Sequence, residues 1–377
     1  MKVPVSVPYI GKLENNYVNK ALKAKAISGF FGDYLPKFES SFSKFCDCKY
    51  GIAVSNGTTA LHLALDTVGI KKGDEVIVPA ITNMATYFSV IYLGAKPVPV
   101  DINSDTFNIN PSLIEKSITN KTKAIIVVHL FGMPVDMQPV LKIAKKYKLK
   151  LIEDCAEAHG AKYKNKKVGS FGDIGCFSFY ANKIITTGEG GMLTTNNKKY
   201  ALKAKNLKEL AFGKANKFIH SDIGYNYRLT NLQAAIGCAQ TEKIEKIIKN
   251  KRAISHRYKK LIVNEEYFIL PKESKDFVNV YWMYLLILRD EFSKYRNYIM
   301  KELKECGIET REGFVSATLQ DIFIEKKIIN KSNKCIEAEK ASFNAFYLPS
   351  SVNLSLKEQK YVCDSLNMVM RNIKRKL

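Results

Sequence analysis

Arginine is scarce in this chain. Only eight of its 59 basic residues are Arg, and none precedes Arg228, although the formal net charge is +23 over 377 residues. Nucleic-acid-binding surfaces gather basic residues into stripes or patches that normally include Arg. Here the lysines are spread along the chain with no long run and no interleaved aromatics. The charge therefore reads as a solvated surface that favours anionic ligands, not as a nucleic-acid interface. Long apolar runs are missing too. The longest, Ala124 to Phe131, is broken by His129 and is far shorter than the ~20 residues that cross a bilayer. No membrane span is expected. The opening MKVPVSVPYIGKLENN lacks a basic region followed by an apolar run and a small-residue cleavage site, which predicts a cytoplasmic protein. The eight cysteines contain no CxxC, and apart from Cys46 and Cys48 they lie far apart. Neither a zinc or other metal site nor a disulfide framework is expected.

What is present is an ordinary globular composition, 46% hydrophobic and 25% charged, with apolar material for a large core. At ~150 residues per domain the length suggests two or three folding units. Short β-branched segments recur with helical patterns between them, at Gly51 to Ser55, Glu75 to Pro79, Lys96 to Ile102, Lys123 to Leu130, Leu149 to Asp154, Cys176 to Tyr180 and Gly191 to Thr195. Segments such as AIIVV and KLIED are continuously apolar, as in a mostly parallel sheet covered on both faces by helices. Gly57 to Val68 instead places Ala60, Leu61, Ala64, Leu65 and Val68 on one helical face. From about Lys243 the pattern changes to charged helices, short strands across Tyr281 to Leu288, a helix near Asn297 to Cys306 and an amphipathic stretch from Leu356 to Lys374. The expectation is an α/β domain over residues 1–245 and a smaller α+β domain over 246–377, joined by a helix around Leu232 to Lys260.

The chemistry concentrates in residues 151–196. An apolar strand delivers Asp154 at its carboxyl end, where open α/β sheets place ligands. About thirty residues on, the strand CFSFY is followed by Asn182, Lys183 and GEGG. A lysine just past a strand, fixed and partly desolvated, is what a covalent bond to an aldehyde cofactor requires. Upstream, SNGTT at a helix start can cradle a phosphate through backbone amides and the helix dipole. Taken singly, each piece has a plain structural reading: a solvated lysine, an aspartate in a turn, a tight glycine turn, an N-cap. The ordered set of cradle, Asp after a strand and Lys after a strand changes the odds.

That order resembles the pyridoxal 5′-phosphate (PLP) enzymes of the aspartate aminotransferase fold, and within them the nucleotide-sugar aminotransferases. The resemblance runs through GDYLPKFESSF, SNGTTALHLAL, GDEVIVPAIT, GAKPVPVDI, VVHLFGMPVDM, IEDCAEAHGA, GSFGDIGCFSFYANKIITTGEGGML, GYNYRLTNLQAAIGCAQ, VYWMYLL and GIETR. The wording NKIITTGEGGM and NYRLTNLQAAIG is most like the GDP-perosamine synthases. The resemblance implies a large domain with a mostly parallel seven-stranded sheet plus the smaller α+β domain. It also implies that Lys183 carries the cofactor and then moves the proton, that Asp154 pairs with the pyridinium nitrogen, and that Gly57, Thr58 and Ser178 hold the phosphate. Asn226 would reach that phosphate from the neighbouring subunit of a homodimer. Arg228 and Arg311 fall on family motifs, as substrate contacts or as members of structural ion pairs. The activity implied is amino transfer, from L-glutamate, to a nucleotide-linked 4-keto-6-deoxy sugar used in surface polysaccharide synthesis.

Three positions depart from the family pattern. Glu157 stands where Gln is commoner; ionised, it cannot donate to the cofactor's phenolic oxygen, so it must be protonated, displaced or bridged by water. Asn83 stands where an aromatic often stacks on the cofactor ring. After Arg311 the chain reads EGFVSATLQDIF in place of a Pro- and His-containing substrate loop. These departures set the expectation that the acceptor, or its mode of binding, differs from that of the perosamine synthases, with a smaller phosphorylated ketone as the alternative. His159 lies near the cofactor in the family pattern and reads more simply as structural. A PLP-dependent sugar dehydratase would replace the lysine by histidine, which Lys183 opposes. A non-catalytic basic binding protein would leave the pairing of Asp154 with Lys183 unexplained.

Overall fold

The computed structural model describes residues 1–375 except 214, 264, 272, 331 and 332. Seven strands form the central sheet: β1 (Tyr50–Val54), β2 (Glu75–Pro79), β3 (Lys96–Val100), β4 (Thr122–Val128), β5 (Lys150–Asp154), β6 (Ile174–Ser178) and β7 (Gly191–Thr195). Their spatial order is β1-β7-β6-β5-β4-β2-β3. Strand β7 runs antiparallel to both β1 and β6, and every other pairing is parallel. The expected mostly parallel sheet is therefore present.

Strand β4 shows why its sequence is apolar without alternation. Ala124 and Ile126 pack on one side with Ala60, Leu61, Ala64 and Leu65 of the helix Gly57–Thr67. Ile125 and Val127 pack on the other with Val140 and Ile143 of the helix Met137–Lys146. From Ala124 to Val128 both faces are buried, so each of these positions is apolar. Ile125, Ile126 and Val127 each contribute about 1.5–3 kcal/mol on leaving water.

A second sheet is formed by β8 (Phe268–Ile269), β9 (Tyr284–Leu288), β10 (Arg311–Glu312) and β11 (Ala345–Leu348), in the order β8-β9-β11-β10 and wholly antiparallel. The helices Arg296–Glu305 and Leu356–Lys374 share its apolar cluster. The chain start joins it, since Val3 bridges to Ile308.

Two local expectations need correction. The joining helix is two helices, Asn231–Glu242 and Ile244–Leu261, broken at Lys243. Thr241 turns its hydroxyl back onto the Gly237 carbonyl at 2.7 Å, a bond that bends helices, and Lys243 swings its amine onto the buried Glu14. The stretch from Tyr281 enters the sheet only at Tyr284, because Tyr281 has a left-handed backbone, φ +51°. Among the described residues no helix is long and apolar enough to cross a membrane.

Candidate active site

Parallel pairing of β5 with β6 sets Asp154 opposite Cys176 at the carboxyl end of the sheet. The Asp154 side chain is buried; it accepts the Thr86 hydroxyl at 2.9 Å on one oxygen and the Ala156 N–H at 3.1 Å on the other. Burial raises its pKa above the ordinary carboxylate value, and these two hydrogen bonds with the charge of Lys183 pull the other way. A cationic ring nitrogen would complete its surroundings.

Strand β6 ends at Ser178, and a turn closed by the Lys183 N–H onto the Tyr180 carbonyl at 2.9 Å follows. The Lys183 amine points back over the sheet. It stands 3.5 Å from a Glu157 carboxyl oxygen and 4.1 Å from the centre of the Trp282 ring. The other Glu157 oxygen accepts the Phe131 N–H at 2.9 Å. Burial raises the Glu157 pKa, offset in part by Lys183 and by that N–H. Of the three states open to Glu157 in the sequence, displacement is opposed by these two contacts, and a protonated carboxyl would donate as Gln would.

The phosphate end of the site is a matter of close packing. Asn56 caps the helix Gly57–Thr67 by accepting the Thr59 N–H at 2.9 Å, which leaves the first two amides, of Gly57 and Thr58, without an intrahelical acceptor. A Cβ on Gly57 would lie 2.8 Å from the Ser178 Cβ, and one on Gly191 would lie 2.2 Å from the Asn56 carbonyl oxygen. Glycine at both places lets the helix start press against the ends of β6 and β7.

One cavity of about 760 Å³ takes in Gly57, Thr58, Asn83, Asp154, Glu157 and Ser178 together with Lys183 and Arg311. Asn83 is exposed and accepts the Ala85 N–H. Arg311 pairs with Glu309 at 3.3 Å on an exposed edge. Asn226 and Arg228 do not line the cavity. Asn226 is exposed, whereas one guanidinium nitrogen of Arg228 is buried without a hydrogen-bond partner. His159 is fully buried against Phe42, Phe177 and Phe179. Neither of its ring nitrogens has a hydrogen bond of normal geometry, the Ser178 main chain being a weak polar contact.

Sequence reasoning missed Thr86 and the aromatic wall of Trp282, Phe314 and Tyr347 on the cavity's other side. Trp282 is the chain's single tryptophan and sits in the motif VYWMYLL, a rarity that was a usable signal. Behind the site, His129, Glu153 and Cys155 cluster closely. The polar atoms of Glu153 and His129 are used within the protein. Glu153 accepts the N–H groups of Gly169, Phe171 and Gly172, and His129 Nδ1 accepts from Val135, which leaves the ring proton on Nε2 facing Glu153.

PLP carries a phosphate, a basic ring nitrogen and an aldehyde, and the residues present fit each of them. The free amides beside Ser178 suit the first, the buried Asp154 suits the second, and the Lys183 amine faces the same space. The class is that of the PLP-dependent enzymes of fold type I.

More particularly, the chain belongs to the DegT/DnrJ/EryC1/StrS aminotransferase family, whose model matches residues 8–367. It is 43% identical to a GDP-perosamine synthase of Escherichia coli O157:H7 over 97% of this chain and 98% of that one. The structure superposes on Helicobacter pylori PseC, an aminotransferase involved in the biosynthesis of pseudoaminic acid, with a TM-score of 0.93 and 26% identity, covering 99% and 100% of the two chains. The PLP form of the putative sugar aminotransferase Spr1654 from Streptococcus pneumoniae gives a TM-score of 0.92 at 25% identity, over 99% and 100%.

Proposed function

We propose that the protein moves an amino group from L-glutamate to the keto carbon of a nucleotide-linked 4-keto-6-deoxy sugar, in the cytoplasm, on a route to surface polysaccharide. The observation that carries this reading is the opening of Lys183 and Asp154 onto one cavity large enough for more than the cofactor. Likeness to a GDP-perosamine synthase along nearly the whole chain supports the acceptor class.

Bound there, PLP would supply an aldehyde to hold the amino group between donor and ketone and a ring that serves as electron sink, with 2-oxoglutarate as the product left by glutamate. Gly57, Thr58 and Ser178 would hold its phosphate. The Asp154 carboxylate would keep a proton on the ring nitrogen, and Glu157 in its protonated form would donate to the phenolic oxygen. The Lys183 amine would take the proton from the donor's α-carbon in the first half reaction and deliver one to the sugar carbon in the second, passing it between substrate and cofactor each time. Arg311, at the cavity edge, is placed for an anionic group of donor or acceptor.

The same reading makes the enzyme a homodimer, with Asn226 and Arg228 serving the partner's site. In support, Arg228 stands 4.9 Å from the Phe30 ring with a buried nitrogen unused, and nearby Phe31, Phe218 and Ile223 are exposed by 72%, 78% and 85%. A division into residues 1–245 and 246–377 gives each unit one of the two larger sheets, with Val3 packing in the cluster of the second.

The substrate-side departures lie on one wall. Ile81 bridges to Ser316, and the Ala317 N–H bonds to the Ala80 carbonyl at 2.7 Å, so the segment after Arg311 packs beside Asn83. Both departures from the family pattern fall on this wall while Lys183 and Asp154 keep to that pattern, as when specificity diverges from chemistry. A panel of nucleotide-linked and simple phosphorylated ketones, assayed with glutamate, tests the reading. A nucleotide-linked 4-keto-6-deoxyhexose should give the highest kcat/KM, with GDP-4-keto-6-deoxymannose inferior to another member of the panel. A small phosphorylated ketone as best substrate would overturn the acceptor class.

A further inference from the structure

The helix Ile244–Leu261 lies outside the cavity, yet it presents two consecutive cations to the segment that carries Trp282. Lys251, only 5% exposed, donates to the Trp282 carbonyl at 2.6 Å and to the Ser350 carbonyl. Arg252 donates to the Asn279 carbonyl at 2.6 Å and pairs with Glu273, which in turn accepts the Asn279 N–H at 3.0 Å. The segment needs these holds. It precedes the ladder of β9, it contains the left-handed Tyr281, and it runs so close to Gly132 that a Cβ there would lie 2.9 Å from the Tyr281 nitrogen. Without Lys251 the Trp282 carbonyl would be buried with no donor, which is costly.

From that anchored main chain the indole reaches into the active site. Its N–H donates to the Asn182 carbonyl at 2.7 Å, its face lies 4.1 Å from the Lys183 amine, and Phe131 stacks on it at 6.0 Å. A lysine amine rides on a flexible four-carbon stem. Its position is set by what stands around it, and an aromatic face attracts and holds an ammonium.

We propose that Lys251 is a positioning residue for the reaction, fixing the Lys183 amine through Trp282. The proposal rests on the reading of Lys183 as the reacting amine. Burial pulls the Lys251 pKa down to about 7, as expected for an amine whose partners are carbonyls.

Because Trp282 is the single tryptophan, its emission reports the hold directly and needs no cofactor. In the apo protein, Lys251→Met should shift the emission to longer wavelength and raise quenching by acrylamide. In the holoenzyme it should lower kcat ~10- to ~100-fold, the loss expected for a misplaced reacting group, with KM changed by less than ~3-fold. Trp282→Phe, which leaves the buried amine and its carbonyl partners in place, should lower kcat by a similar factor. The double variant should be no slower than the slower single one, because both act through one contact. A merely structural lysine would lower the melting temperature and leave emission unmoved, and its kcat loss would multiply with that of Trp282→Phe. Either result overturns the proposal, as does wild-type kcat in Trp282→Phe. Borohydride labelling of a lysine other than Lys183 would instead refute the reading of the site, and the emission measurement would still decide whether Lys251 holds Trp282.

Discussion

The Lys183 amine and the Glu157 carboxyl stand 3.5 Å apart, with side chains only 12% and 5% exposed. The second oxygen of that carboxyl is tied to the Phe131 N–H, so Glu157 cannot swing away from the lysine without leaving a buried amide unpaired. Asp154 lies in the same space, and its pKa, like that of Glu157, is raised by burial. Two buried carboxyls therefore share one nearby cation. This arrangement resists full ionisation until a second positive group arrives.

Lys183 is expected to carry the cofactor. Borohydride reduction of the yellow holoenzyme followed by peptide mapping should mark Lys183 and no other lysine. Lys183→Ala should lower turnover by a factor between ~10² and ~10⁴, while thermal unfolding stays close to wild type, because the residue lies in a loop after β6 and fills little core.

Asp154→Asn preserves shape and removes charge. Cofactor should still bind, and the rate of the first half reaction with glutamate, followed by loss of the visible absorbance, should fall ~10²-fold or more. Wild-type rates in this variant would show that another acid supports the ring.

Gly57→Ala tests the cradle. The added methyl must displace the Ser178 Cβ, at 2.8 Å, and both residues belong to the phosphate end. Cofactor affinity, read by titrating apo protein with PLP, should fall by at least ~10-fold, with a much smaller effect on the apo melting temperature.

The sheet, and the strip proposed to carry the chemistry, were legible because their physics is local. Continuous apolar runs announced buried strands, and Asp154 ends β5 while Lys183 lies one turn past β6. The aromatic wall was not legible. Trp282, Phe314 and Tyr347 are far apart in sequence and meet because β9, β10 and β11 pair, so no spacing rule brings them together. The break at Lys243 was hidden for a similar reason: it depends on Glu14, more than two hundred residues away. The state of Glu157 was left open by the sequence, since it turns on burial and not on residue type.

His159 makes the protein acid-sensitive. Burial, with Lys183 second, lowers its pKa from 6.5 to about 3. Between those values the unfolded chain binds a proton that the folded chain refuses, so stability falls as pH drops below 6.5. The loss should reach ~3 kcal/mol near pH ~4. Urea unfolding of apo His159→Phe across this range should lack that part of the slope, since phenylalanine suits the surrounding Phe42, Phe177 and Phe179. An unchanged slope would place the acid sensitivity elsewhere.

Glu157 gives the opposite slope. Its folded pKa is raised from 4.5 by burial, against the smaller pulls of Lys183 and the Phe131 N–H. As pH rises above 4.5 the unfolded chain releases a proton that the folded chain keeps, so Glu157 costs the apo protein stability between 4.5 and its raised folded pKa. Glu157→Gln keeps the shape and an acceptor for the Phe131 N–H and has nothing to titrate. Unfolding curves of the two apo proteins should coincide near pH 4.5 and diverge as pH rises, the variant becoming the more stable. Parallel pH curves in the apo proteins would mean that Glu157 ionises freely beside Lys183, and the protonated donor assigned to it would be wrong.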